Sequence, residues 1–350
     1  MNKILLTLSL VLPLVANAQL MDDKEKKGLS IIPVVAANST YGLMLGGAGM
    51  YYMDLADYHR IYAIGVTTLE DQRYILSGWD AHGEVWKYGF QLQVINLFRA
   101  YYGDSREPRK EDPDRISQKR VVFEPYISYR FTPKFAMTGV VDYKLRKENN
   151  RVERAIDDSV DHIQIYPNDR TWALGLNFTW DERQLKLTSP IGGFYESKLR
   201  YMPGSIATNQ DHPDPFFKAT LDLRYIWELS ESLYYAQRLF FGESLGEPTY
   251  EHRYFFGGEP TMRGFGYSRF SGYRFYLSQS EARFPIYKVL GGVTFLDMGD
   301  VVDHDYISLL YSYGFGLRIN LPPDYVAKLR LDFGFGTEGM NFSMRADHVF

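Results

Sequence analysis

The chain has no cysteine in its 350 residues. That removes disulfides, thiol nucleophiles and cysteine-ligated metals together. Beyond the N-terminal segment it also lacks any apolar run near the ~18 residues that a membrane-spanning helix needs. There are no internal repeats, no low-complexity linkers and no sign of a second domain. An excess of positive charge is missing too. Lys and Arg total 39 against 43 Asp and Glu, for a net charge of -4. A weakly acidic chain of this kind argues against a nucleic-acid partner.

Aromatic residues are abundant, at 16% of a chain that is 45% hydrophobic. Mean hydropathy is nevertheless only -0.30. Many aromatics, high polarity and no helical span suggest a membrane β-barrel, in which apolar and polar residues alternate and hydropathy averages out. The N-terminus supports export. Lys3 precedes an apolar stretch from Ile4 to Val15, and Ala16-Asn17-Ala18 is a small-x-small cleavage site. The expected division is a signal peptide at 1–18, a short periplasmic segment at 19–29 and a barrel at 30–350. The expected location is the outer membrane of a Gram-negative-type bacterium.

The alternation is direct. From Thr171 to Trp180, one face carries Trp172, Leu174, Leu176, Phe178 and Trp180, and the other Thr171, Ala173, Gly175, Asn177 and Thr179. Phe217 to Glu228 and Ala327 to Phe335 repeat the pattern. Period two over ~9–11 residues, ending in aromatics, predicts membrane-spanning strands. About sixteen are expected, an even number. Their connections alternate between short turns such as 131–134 and long polar loops near 99–119, 147–170, 203–215, 243–273 and 298–310. Short turns on the periplasmic side and long loops outside place both termini in the periplasm. The fold class expected is all-β, a single transmembrane antiparallel barrel.

No catalytic residue, metal or cofactor is expected. Gly242-Glu-Ser-Leu-Gly246 matches the nucleophile elbow of hydrolases, but that elbow needs a strand-to-helix turn and no helical pattern follows. Asp-His pairs at 161–162, 211–212, 303–304 and 347–348 are too scattered for a metal site. Tyr51-Tyr52, Tyr101-Tyr102 and Tyr234-Tyr235 read as girdle or loop residues. The glycines of 42–49 (Gly42, Gly46, Gly47 and Gly49) either make the second strand pliable or relieve crowding in the lumen.

The most informative stretch runs from Arg253 to Tyr267 in the 243–273 loop. It joins Gly257-Gly258 to Arg263-Gly264-Phe265. Glycines let backbones approach closely, and arginine offers five donors in a rigid fork. Such a loop is made to dock on something acidic. Glu281 and Arg283 share one face of a later strand, and Phe295 and Asp297 one face of the next. Charges cannot face lipid cheaply, so these ionisable residues should face the lumen. Arg263 would then meet Glu281 and Asp297 on neighbouring strands.

This stretch resembles the conserved loop of the BamA/TamA outer-membrane assembly superfamily, which includes two-partner-secretion transporters. Four further segments are similar to that family. They are Trp180-Asp181-Glu-Arg183 with Pro190-Ile-Gly-Gly193, Glu281-Ala-Arg283-Phe-Pro285, Phe295-Leu-Asp297-Met-Gly-Asp300, and Leu329-Arg-Leu-Asp332. The resemblance covers about 178 to 350. It implies a loop that dips into the barrel with its arginine on wall acids, a periplasmic turn built on Asp181, Arg183, Pro190 and Gly193, and no catalysis. The final face of Phe342, Met344, Ala346, His348 and Phe350 resembles the signal that hands barrels to their assembly machinery, with Phe342 and Phe350 its main elements. The function implied is protein insertion into, or translocation across, the outer membrane, with outer-membrane lipids and that machinery as partners. Well-known members carry periplasmic POTRA domains, for which this sequence has no room. The expected substitute is a separate periplasmic protein. A passive channel, and a binding barrel acting through its external loops, are the alternatives.

Overall fold

A computed structural model describes residues 28–38, 41–54, 58–70, 72–102, 114–148, 168–184, 190–204, 214–246, 248, 252–258, 260–302, 309–320 and 328–347. The proposed signal peptide, Phe350, His348 and the first three Asp-His pairs lie outside them. The first half of the wall is β1 (Gly28–Asn38), β2 (Gly42–Asp54), β3 (Tyr58–Thr68), β4 (Arg73–His82), β5 (Trp86–Tyr101), β6 (Asp114–Arg130), β7 (Phe135–Glu148) and β8 (Asn168–Asp181). It continues with β9 (Gly192–Met202), β10 (Phe216–Ser230) and β11 (Leu233–Leu245). Two short strands, β12 (Tyr254–Phe256) and β13 (Phe270–Gly272), pair within the loop that follows. The wall resumes as β14 (Arg274–Tyr287), β15 (Leu290–Val302), β16 (Leu310–Asn320), β17 (Lys328–Gly336) and β18 (Gly339–Asp347).

Sixteen of these strands form a closed barrel of sequential antiparallel neighbours, with β11 beside β14. Alternation sorts the side chains. Leu174, Leu176, Leu199, Leu221, Phe241 and Phe315 are exposed on the outside, while Arg60, Asp80, Asp222, Arg238, Asp297 and Arg318 are buried inside. An apolar exterior around a charged interior is the inverse of a soluble sandwich and fits a membrane barrel. Near the short turns an aromatic girdle runs from Trp86 to Tyr129 (4.7 Å between ring centres), Phe131 (4.7 Å) and Phe135 (5.4 Å). It resumes at Trp227 and Tyr235, 5.6 Å apart. The tyrosine pairs split between the two faces, as period two requires: Tyr51 is exposed and Tyr52 buried.

Two features depart from the sequence reading. β5 and β6 extend to Tyr101 and from Asp114, into the loop expected at 99–119. Their upper rungs are charged, so the strand continues where the hydropathy signal stops. The three-residue β12 and β13 are too short to show a period.

Closure is uneven. β1 pairs with β2 through eleven residues and β17 with β18 through nine. Among the described residues β1 meets β18 at two positions, Ala37 opposite Met344 and Asn38 opposite Ser343. Close packing accounts for one glycine of β2, since a β-carbon on Gly46 would lie 1.9 Å from the Gly65 carbonyl oxygen.

Candidate functional site

The loop between β11 and β14 folds back into the lumen, and its sequence explains how. Gly257 and Gly258 have φ of 108° and 85°, a region costly for residues with a β-carbon. A β-carbon on Gly257 would also lie 2.5 Å from the Gly266 carbonyl oxygen. The tip then knits itself together. The Gly258 amide donates to the carbonyls of Met262 and Phe265 (3.1 Å each), and the Gly257 amide to Thr261 Oγ1 (2.8 Å). Phe256, Met262 and Phe265 are buried against Phe275 and Leu277 of β14.

Arg263 is placed at the bottom of this tip. Its Nε donates to Asp297 Oδ2 (2.8 Å) and its Nη2 to Asp297 Oδ1 (2.5 Å), a two-pronged match to one carboxylate. Its backbone amide adds a third bond to Asp297 Oδ2 (3.2 Å), and its Nη1 donates to Glu281 Oε1. The guanidinium lies 3.5 Å from the centre of the Phe295 ring. All three charged side chains are at most 1% exposed. Burial alone would lower the pKa of Arg263, but Asp297 and Glu281 outweigh it and raise it above its ordinary value.

The wall behind is a larger network than the loop's own partners. Glu281 Oε2 accepts from Arg283 Nε (2.8 Å), and Arg318 and Arg330 approach Glu281 at 3.7 and 3.8 Å. Asp332 accepts from Arg318 Nη1 (2.6 Å) and Arg330 Nη2 (3.3 Å). Four arginines thus share three carboxylates.

Further contacts hold the loop on both sides. Gly264 packs so tightly on the wall that a β-carbon would lie 2.6 Å from both the Gly336 amide nitrogen and Ser312 Cβ. Arg238, paired with Asp222 at 2.8 Å, donates from Nη1 to the Pro260 carbonyl (3.0 Å). Arg269 donates to Glu338 in the β17–β18 turn (2.7 Å). Asn341, on β18, donates to the carbonyls of Arg263 (3.1 Å) and Phe265 (2.8 Å). The loop therefore bonds directly to a strand that forms the barrel's weakest seam.

The structure brings together Gly257, Gly258, Arg263, Gly264, Phe265, Glu281, Arg283, Phe295 and Asp297. It places Asp181, Arg183, Pro190 and Gly193 apart from them, in the β8–β9 turn. There Arg183 Nη2 donates to Asp181 Oδ2 (2.8 Å), and the Glu182 amide to the Gly193 carbonyl (3.0 Å). Phe342 packs on Phe333 of β17, 4.7 Å between ring centres. The sequence reading did not single out Asp222, Arg238, Arg269, Gln279, Arg318 or Glu338. An inward charge at a strand position was the signal available for Asp222, Arg238 and Arg318.

Among the described residues no group of three or more His, Cys, Asp or Glu side chains could hold a metal. Ser244, in the hydrolase-like segment, lies on β11, and its amide donates to the Tyr273 carbonyl in an extension of the ladder (2.8 Å). On β10, separated from β14 by β11, Lys218 donates to the His252 carbonyl (2.5 Å). Burial holds the His252 imidazole well below its ordinary pKa, and Lys144 and Lys218 push the same way.

A family model described as the Omp85 superfamily domain matches residues 65–344. The chain belongs to the Omp85 superfamily. No curated protein matches it by sequence. Among solved structures, this Omp85 barrel is similar to BamA from Haemophilus ducreyi lacking POTRA domains 1-3, with a TM-score of 0.68 at 13% identity. That likeness covers 98% of this chain and 75% of the other. It is also similar to CdiB from Acinetobacter baumannii (TM-score 0.61, 14% identity, 91% of this chain and 59% of the other). CdiB from Escherichia coli gives a TM-score of 0.60 at 15% identity, over 88% of this chain and 58% of the other. The chain thus spans less than two thirds of either CdiB. The likenesses establish the fold, an antiparallel β-barrel.

Proposed function

We propose that this Omp85 barrel inserts proteins into the outer membrane, or passes them across it, by opening between β1 and β18. The observation that carries the proposal is the seam. Among the described residues two pairs close it, against eleven and nine on its flanks. A backbone hydrogen bond contributes a net ~0.5–1.5 kcal/mol, so a two-pair junction separates long before its neighbours. The parted strands present unpaired edges, and an edge is a template onto which an incoming strand can add. The loop, latched by Arg263 and bonded to β18 through Asn341, would support the wall beside the opening. Membership of a superfamily that contains assembly and two-partner-secretion barrels supports this reading. The described residues are all barrel and loop, so delivery of clients by a separate periplasmic protein belongs to the proposal.

The absence of native cysteine makes the seam testable. Ala37 and Met344 are directly opposed in the ladder, the kind of register at which introduced cysteines can be bridged. In liposomes, the wild-type barrel should accelerate folding of an unfolded outer-membrane protein over empty vesicles. The oxidised A37C/M344C variant should lose that acceleration and regain it on reduction. Acceleration indifferent to the lock would sink the seam mechanism. No acceleration, together with steady ion conductance, would favour a passive channel.

A further inference from the structure

The inward loop touches both banks of the seam. On the β18 bank, Asn341 donates to the carbonyls of Arg263 and Phe265, at 3.1 and 2.8 Å. Glu338, in the β17–β18 turn, accepts from Nε and Nη2 of Arg269, at 2.8 and 2.7 Å, so both prongs of the guanidinium meet one carboxylate. On the β1 bank, Tyr267 packs against Tyr41 of the β1–β2 turn, with 6.0 Å between ring centres. Tyr41 in turn meets Phe98 of β5 at 5.7 Å. The Arg269 guanidinium also lies 4.4 Å from the centre of the Tyr102 ring, just past the end of β5. β1 and β18 are antiparallel, so the β1–β2 and β17–β18 turns lie at the same end of the barrel. The loop segment 263–269 spans the gap between them.

The backbone of this segment is shaped for the task. Ser268 has φ of 55°. A residue with a β-carbon holds that left-handed conformation at a cost, and only where its surroundings over-determine it. Here the Ser268 amide donates to the Gly257 carbonyl (3.4 Å), and Ser268 and Arg269 are buried. Tyr267 lies against Gly258, where a β-carbon would stand 3.0 Å from both Cα and Cδ2 of the tyrosine. The glycine pair therefore seats the ring that faces Tyr41.

When the banks part, the loop can follow one of them. The charge-assisted bonds of Arg263 and Arg269 and the two bonds from Asn341 run to the β14–β18 side. Ring contacts run to the β1–β5 side. Buried charge-assisted bonds are stronger than ring contacts, so the loop stays with β18 and the contacts at Tyr41 and Tyr102 break. A contact made in the closed state and lost in the open one shifts the equilibrium toward closure.

We infer that the loop is a clasp across the seam. Tyr267 and Arg269 hold the β1–β2 turn and the end of β5 against the β17–β18 hairpin, and the Tyr41–Tyr267 contact sets how readily the barrel opens. The inference rests on the seam reading above and adds what restrains it.

Nitroxide labels at L45C on β2 and M340C on β18, both exposed positions, report the width of the seam by pulsed electron resonance of the barrel in liposomes. β2 moves with β1, to which it is paired through eleven residues. The wild type should give one short distance. Y267A should add a longer one and raise the separated fraction about 10-fold. Y267F keeps the ring and should match the wild type. Y41A/Y267A should open the seam no further than either single change, since both remove the same contact. Y201A, which removes a ring stacked on Phe217 at 4.5 Å away from the seam, should leave the distance unchanged. Heat-modifiable gel migration verifies folding. Should Y267A not fold, Y41A is read in its place, with the same rise expected. A wild-type distance in the folded variant would overturn the clasp, and so would equal broadening by Y201A. A seam opened by Y267A without any change in client folding would uphold the clasp and count against insertion through the seam, so the two readings fail separately.

Discussion

Arg263→Ala is expected to free the loop from the lumen and to destabilise the barrel by about 3–5 kcal/mol, the usual cost of breaking a buried ion pair from one side. Asp297 takes three hydrogen bonds from Arg263, two from the guanidinium and one from the amide. Without the guanidinium, a carboxylate with no exposure keeps Gln279 Nε2 at 3.4 Å as its remaining side-chain donor. The desolvation that Arg263 had offset then falls on Asp297 and Glu281 alone. Chymotrypsin should cut the variant within Tyr254–Phe270 while leaving the wild type intact, and the urea midpoint should drop. Arg263→Lys keeps the charge but loses the fork, so it should fall between the two. Full protection with an unchanged midpoint would show that the arginine is not what holds the loop.

Glu281→Gln should injure the wall more than the loop. Glu281 accepts from Arg263 and Arg283, and Arg318 and Arg330 stand within 4 Å of it. With Asp297 and Asp332 it balances four guanidiniums against three carboxylates. Neutralising it leaves four against two in a dry site, whereas removing Arg263 leaves three against three. The expected pattern is a larger loss of stability in E281Q, about 3–5 kcal/mol or more, with better loop protection than in R263A. Because the two residues share a network, R263A/E281Q should cost less than the sum of the single changes. Urea titration of the four proteins measures this directly. Additive losses would mean that the two groups act separately.

Much of this architecture was legible in the chain, for reasons that can be located. β8 and β10 showed themselves because their outer rows are Leu, Phe and Trp while their inner rows are small or charged. The loop was visible because a glycine pair lets backbones approach closely, and because the rigid donor fork of an arginine calls for an acid to dock on. Glu281 and Asp297 could be placed on adjacent inner faces by counting in twos. What stayed hidden depends on register across strands. Arg60 with Asp80 (2.7 Å) and Arg238 with Asp222 (2.8 Å) are inward charges whose partners are set by the stagger between neighbours. No local pattern specifies that stagger. Arg269 and Glu338 are 69 residues apart and meet only after the loop has docked. The upper rungs of β5 to β8 were taken for loop because their side chains are charged.

For function the edges that meet at the seam matter most. Among the described residues, β1 is paired along its whole length on one side and at two residues on the other. Its outward Leu29 and Ile31 are 66% and 74% exposed.

The most direct test of the central claim is to capture a client at that edge. Single cysteines would be placed at Ala37 on β1 and, as a control, at Leu221 on the outward face of β10. A client carrying one cysteine in its last strand would then fold against each barrel under mild oxidation. The account predicts a mixed disulfide at position 37 that appears during folding, fades as the client is released, and is absent at position 221. Equal trapping at both positions, or none at 37 while folding is accelerated, would contradict it.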